Sequence, residues 1–179
     1  MNHELPVKVT ICQSILNKEN MDNAVRSFTE MGVTDVIPVR VSRMYQQPIQ
    51  ENEFQKRLRW RSKELVRNSL RKVTPTIHDT IDFADAVKMI KDYDVAILAY
   101  ENERDRLCTA KALAKCKNAK SIIIFIGSEW GYEPYEVKQA KDAGAHIVSL
   151  GKRIIRASNA GAILMGMLVY VVELGNENV

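Results

Sequence analysis

The chain has 179 residues, 46% apolar and 27% charged, which suits one globular domain with material for a real core. Its net charge of +4 is compatible with a polyanionic partner without requiring one. Three cysteines, Cys12, Cys108 and Cys116, are odd in number and form no C-x-x-C pair, which suggests neither a disulfide framework nor a zinc site and fits a reducing cytoplasm best.

The first residues lack the basic start and long apolar run of a signal peptide. Residues 7–14 alternate and read as a strand. Residues 21–32 read as a helix, with Gly32 closing its C-terminus. Residues 35–40 form a second short strand. Residues 52–72 read as a long helix ending before Pro75, and residues 81–91 as another helix. Residues 93–100 are a continuous apolar run of strand length, and 106–116 are helical. Residues 121–127 are a strand with both faces apolar. Residues 134–144 form a helix with Pro134 in its first turn and Gly144 at its end, followed by a strand at 145–151. Alternating strands and helices predict an α/β fold, a mostly parallel sheet with helices on both faces. Ligands in such sheets bind beyond the carboxyl ends of the strands. Here those ends are the loops at 99–103, 126–132 and 149–156.

After Asn159 no charge occurs until Glu173. The run 160–172 is shorter than the ~20 residues that span a bilayer, and Gly161 and Gly166 interrupt it. It reads as a buried helix, with small residues that let another helix approach.

Gly127 and Gly131 flank Glu129 and Trp130. They permit either a tight turn or close approach of backbone to a ligand. The loop is neither a dinucleotide fingerprint nor a P-loop. Arg156 stands at a helix start, where a cation opposes the macrodipole. It is either solvated or held toward a phosphate or carbonyl. Between Lys56 and Lys72 eight basic residues face one acid, Glu64. Arg57 and Arg61 share a face at helical spacing, while Leu58, Leu65 and Val66 turn inward. Unlike a solvated face of alternating sign, this segment favours nucleic-acid contact. His3, His78 and His146 are scattered, so no metal site is expected.

Taken in order, the loops resemble those of SPOUT-class RNA methyltransferases of the RsmE family. Gly127-Ser128-Glu129-Trp130-Gly131 resembles its G-P-E-G-G, and Ser149-Leu150-Gly151-Lys152-Arg153-Ile154-Ile155-Arg156 its S-L-G-x-R-I-L-R. Upstream, Thr29-Glu30-Met31-Gly32-Val33 with Ile37-Pro38 resembles T-E-L-G-V and I-x-P. Glu64, Ser69 and Arg71 resemble parts of E-A-x-x-Q-S-x-R. The departures are Ser128 for proline, Trp130 for glycine, Ser158 for an acid, Asn68 for glutamine and Ser27 for lysine.

The resemblance implies a C-terminal deep trefoil knot, S-adenosylmethionine as cofactor, and N3-methylation of a uridine in small-subunit (16S) ribosomal RNA. It implies a homodimer through the last helix. Residues 1–179 would form the single catalytic domain, without the small β-barrel RNA-binding domain that precedes it in the family. It implies cofactor contacts at Leu98, Ala99, Tyr100, Ile126, Gly127, Ser128, Gly131, Leu150, Gly151, Ile154, Ile155 and Ala160. Catalysis is expected from Arg156, then Arg71, with Glu129 as proton acceptor. RNA contacts are expected from Arg57, Arg61, Arg67, Arg71 and Arg153. The alternatives are a catalytically inactive RNA-binding or ribosome-assembly protein on the same fold, and a transfer-RNA methyltransferase.

Overall fold

The computed structural model describes residues 2–44, 51–103 and 105–176. In chain order these form β1 (Lys8–Ser14), α1 (Lys18–Glu30), β2 (Asp35–Arg40), α2 (Glu51–Val66), β3 (Thr76–Ile77), β4 (Ile81–Asp82) and α3 (Phe83–Lys88). There follow β5 (Val95–Ala99), α4 (Arg106–Cys116), β6 (Ser121–Ile126), α5 (Pro134–Asp142), β7 (His146–Val148) and α6 (Ala157–Val172). The strands make one seven-stranded sheet in the order β3-β2-β1-β6-β5-β7, with β4 also on β2. Every strand pair is parallel.

The apolar runs are continuous because the sheet is buried on both faces. Ile122, Ile124 and Ile126 of β6 join Val9, Ile11, Ile97 and Val148 under α1, α2, α4 and α6. Ile123 and Phe125 turn the other way, with Cys12, Ala96, Leu98 and Ile147, under α3 and α5. Burying each such isoleucine contributes about 1.5–3 kcal/mol. Pro38 is tolerated inside β2 because of a break in the neighbouring edge. Val36 O accepts from His78 N–H on that side, and Val39 O accepts from Ile15 N–H on the β1 side. Pro38 is in phase with Val36, so its missing donor faces the gap between β3 and β4.

Helix α6 is a core helix. Leu164, Met165 and Leu168 are fully buried against the rest of the fold. Gly161 lets α6 seat on α1: a Cβ there would overlap the ring of Phe28. The opposite side of α6 carries exposed Gly166 and Tyr170. No helix among the described residues is long and apolar enough to cross a membrane.

Among the boundaries that differ from the sequence reading, three have a visible cause. Helix α2 stops at Val66 rather than at residue 72. Ser69 Oγ donates to the carbonyls of Leu65 and Val66, and Leu70 adopts a left-handed conformation at φ 59°. The 81–91 helix starts at Phe83, because Ile81 and Asp82 pair with β2. Strand β7 ends at Val148, where Thr109 of α4 takes over the backbone of Ser149.

Candidate active site

Beyond the carboxyl ends of β5, β6 and β7 lies a cavity of about 570 Å³. That is within the usual range for small-molecule sites. Its walls are the 99–101, 126–131 and 149–158 segments, closed by Asn20 and Ala160. Of the twelve expected cofactor residues it is lined by all but Leu98. Leu98 is fully buried within the sheet, paired to Phe125 and Ile147, so it supports the floor without reaching the cavity.

Each loop is held by bonds that fix its backbone. Ser128 takes the place of a rigid proline by closing its own turn. Its Oγ donates to Arg43 O and accepts from Trp130 N–H at 3.2 Å. Gly131 N–H returns to Ser128 O at 3.0 Å, and Gly131 sits at φ +71°, where side chains are strained. A Cβ on Gly131 would also run into the Glu101 carboxylate. Thr109 Oγ1 donates to Ser149 O at 2.9 Å and accepts from Ser149 N–H at 3.0 Å, anchoring the 149–156 loop. Tyr100 N–H donates to Val148 O at 2.9 Å, which ties the first loop to the third.

Tyr132 packs under Gly127, where a Cβ would lie 3.3 Å from its ring. Burial pushes the Tyr132 phenol up, so it stays neutral. Burial likewise raises Cys12, and pushes Cys116 up to about 11. The Asp105 carboxylate beside Cys108 raises that thiol too. None of the three is a thiolate nucleophile at neutral pH.

The arginines divide sharply. Arg156 is the N-cap of α6, lines the cavity, and makes no side-chain capping bond. Arg153 also lines the cavity and is exposed. Arg71 is a correction: its side chain is only 1% exposed and away from the cavity. Its Nε and Nη2 donate to Glu4 Oε2 at 2.9 and 2.7 Å, and its Nη1 to Thr29 O at 2.7 Å. With every donor group engaged inward, it is positioned for neither catalysis nor RNA contact. Arg57 is corrected in the same way, since its Nε donates to Asp22 Oδ1 at 2.9 Å across the α1–α2 contact and its guanidinium lies over Phe54. Arg61 stacks on Trp60 at 5.2 Å and reaches Glu64 at 3.4 Å, leaving it partly open. Arg67 is exposed, with no partner among the described residues.

Glu129 lines the cavity, but its Oε1 accepts from Asn17 N–H at 3.3 Å and Asn20 Nδ2 at 3.2 Å. It pins the 127–131 loop to the N-terminus of α1, where a carboxylate also suits the helix dipole. Sequence reasoning named none of Asn20, Glu101, Ser149, Ala157 and Ser158 as contacts, although Glu101 and Ser149 lie in strand-end loops it read as ligand-binding. For Ser149 the signal was its place directly after an apolar strand. For Asn20 and Glu101 no motif existed.

The sequence profile of the RNA methyltransferase domain matches residues 3–169. The chain is 27% identical over 166 residues to the ribosomal RNA small subunit methyltransferase E of Mesomycoplasma hyopneumoniae, covering 92% of this chain and 70% of that protein. It is 26% identical over 178 residues to the protein of that name from Bacillus subtilis, covering 97% and 70%. Among solved structures it is similar to the Neisseria gonorrhoeae methyltransferase of the same name bound to S-adenosylmethionine. The TM-score is 0.82 and the identity 24%, over 94% of this chain and 68% of that one.

Proposed function

The chain belongs to the RNA methyltransferase domain family, and from that premise we propose that it methylates a base of small-subunit ribosomal RNA with S-adenosylmethionine. The observation that carries the reading is the cavity itself, closed by three strand-end loops with Arg156 at its edge. The residues suit the cofactor. Ile126, Leu150, Ile155 and Ala160 offer apolar walls for an adenine, and Gly127 and Gly131 line the cavity with backbone, packed where a Cβ would meet Tyr132 and Glu101.

When bound, S-adenosylmethionine supplies an electrophilic methyl group on a sulfonium. The protein's part is placement: the tied loops hold both reactants in line, which lowers the barrier without covalent help. On a uridine, N3 must lose its proton. Arg156, which lines the cavity, would stabilise the charge that then develops on the neighbouring carbonyl oxygens. Glu129 lines the cavity and would take the departing proton on Oε2, while Oε1 serves the loop.

Calorimetry on the purified chain tests the reading, with S-adenosylmethionine as titrant and methyl transfer to unmodified small subunits in parallel. Micromolar binding with transfer is expected. No binding at millimolar cofactor leaves a non-catalytic RNA-binding protein as the better account.

RNA contact would fall to the more open basic residues, Arg67 first and next Arg61, whose 3.4 Å pairing with Glu64 is exposed. Replacing both with alanine should flatten log affinity against log salt by about 0.7–0.9 per lost contact. An unchanged slope reduces this face to a solvated one. The family's knot would fit the strand order. The chain leaves β7 at the edge of the sheet, yet α6 packs back on α1 and over β6 in its middle. A second copy would cover the exposed Gly166–Tyr170 side of α6. Gly166→Glu should then yield monomer by light scattering, and an unaltered dimer rules that interface out.

A further inference from the structure

We propose that Trp130 is a stacking platform for a nucleobase of the RNA at the mouth of the cavity. This rests on the RNA-methylating reading above and adds the residue that would receive the base. Trp130 lines the cavity yet is 53% exposed. Ile154, on the facing 149–156 loop, is 89% exposed. The other apolar members of the lining are far less open: Ile126 is 1% exposed and Ala160 8%. The interior wall and the rim are therefore distinct, and Trp130 and Ile154 belong to the rim.

The indole is not carried on a loose loop. The backbone N–H of Trp130 donates to Ser128 Oγ, and the Ser128–Gly131 bridge closes the turn that carries it. A hydrogen-bonded turn thus leaves about half of a large apolar side chain in water, at a cost in buried area. Arg153 and Arg156 line the same cavity. An aromatic face beside arginines is the chemistry that takes an unstacked nucleotide. The ring stacks on the base, and the guanidinium groups pair with phosphate or base oxygens. A free cofactor would be served by the buried wall. A half-exposed indole at the rim suits a base that arrives from outside and must be held over the interior. Stacking tolerates every base, so Trp130 would set affinity for a splayed-out nucleotide and leave base identity to polar groups.

The family's loop has glycine where Trp130 stands, so the platform is a property of this chain. Trp130→Ala should weaken oligouridylate binding by about ten- to a hundredfold, and Trp130→Phe much less. In turnover the loss should appear in KM for RNA with kcat little changed, as for an interaction made equally in ground and transition states. Cofactor affinity by calorimetry should hold. Oligouridylate should quench indole emission in the unmodified chain, and the abasic oligomer should not. Trp130→Phe should lack that quenching. Equal quenching by the abasic strand, or full RNA affinity in Trp130→Ala, overturns the proposal. So does a parallel loss of cofactor binding, which would make Trp130 a cofactor wall. If the unmodified chain transfers no methyl group, the enzymatic reading fails, and base-dependent quenching still decides the stacking.

Discussion

Arg156→Ala should lower methyl transfer by about two to three orders of magnitude, the loss expected when one preorganised donor to a developing anion is removed. Cofactor affinity falls far less, because the backbone of the 149–156 loop is fixed independently through Thr109 and Ser149. Arg156→Lys recovers little, since a point charge does not reproduce the planar fork of donors. Fold stability is nearly unaffected: the side chain makes no capping bond to α6, and a cation at a helix N-terminus opposes the dipole. The assay is transfer of labelled methyl from S-adenosylmethionine to small subunits lacking the modification, with binding measured on the same preparations. Equal losses of binding and turnover would move Arg156 into the cofactor pocket and deny it a role in the chemical step.

Arg71→Ala has the opposite signature, a loss of stability with no selective loss of transfer. Removing the guanidinium abandons Thr29 O and strips Glu4 of its cation. The cost is about 3 kcal/mol, toward the low end for breaking a buried pair, because the Glu4 side chain is 20% exposed. For a chain of this size that lowers Tm by about 6–12 °C in a circular-dichroism melt. Burial alone would raise the Glu4 carboxyl. The bonds from Arg71, Val73 N–H and Lys72 N–H outweigh it and hold the group below its ordinary 4.5. The resulting stabilisation is complete above about pH 4.5 and is lost as pH falls through the folded value. The stability gap between the parent chain and Glu4→Gln should therefore narrow on acidification. A gap that stays constant across that range would remove Glu4 from the acid response.

The sheet was legible because its strands are buried on both faces. β6 shows as an unbroken apolar run, and glycines close α1 and α5 where the sequence places them. β3 and β4 were not legible, since two residues each cannot display an alternation. The end of α2 was hidden as well. Nothing in the helix-forming residues around Ser69 shows that its hydroxyl captures two carbonyls, or that Leu70 turns left-handed. The arginines are the clearest limit. A count of basic residues weighs Arg57, Arg67 and Arg71 alike. Asp22 and Glu4, which draw two of them inward, are distant in sequence, and only the folded chain brings them together. The cavity loops were readable because glycines at strand ends mark where backbone can approach a ligand. Glu101 and Asn20 carry no such mark.

Strand β1 pairs along one edge with β6, from Lys8 opposite Ser121, and the Phe28 ring of α1 awaits Gly161. A chain emerging from the ribosome amino end first must therefore keep the middle of its sheet unpaired for most of its synthesis. Such sequence-distant pairing slows folding and prolongs exposure of sticky strand edges. The cavity shares this timing, because its third wall and its closing residue Ala160 follow its other walls along the chain. Cofactor can neither nucleate the early steps nor protect the half-made chain. It can only lock the finished one, and its binding would then mark completed molecules.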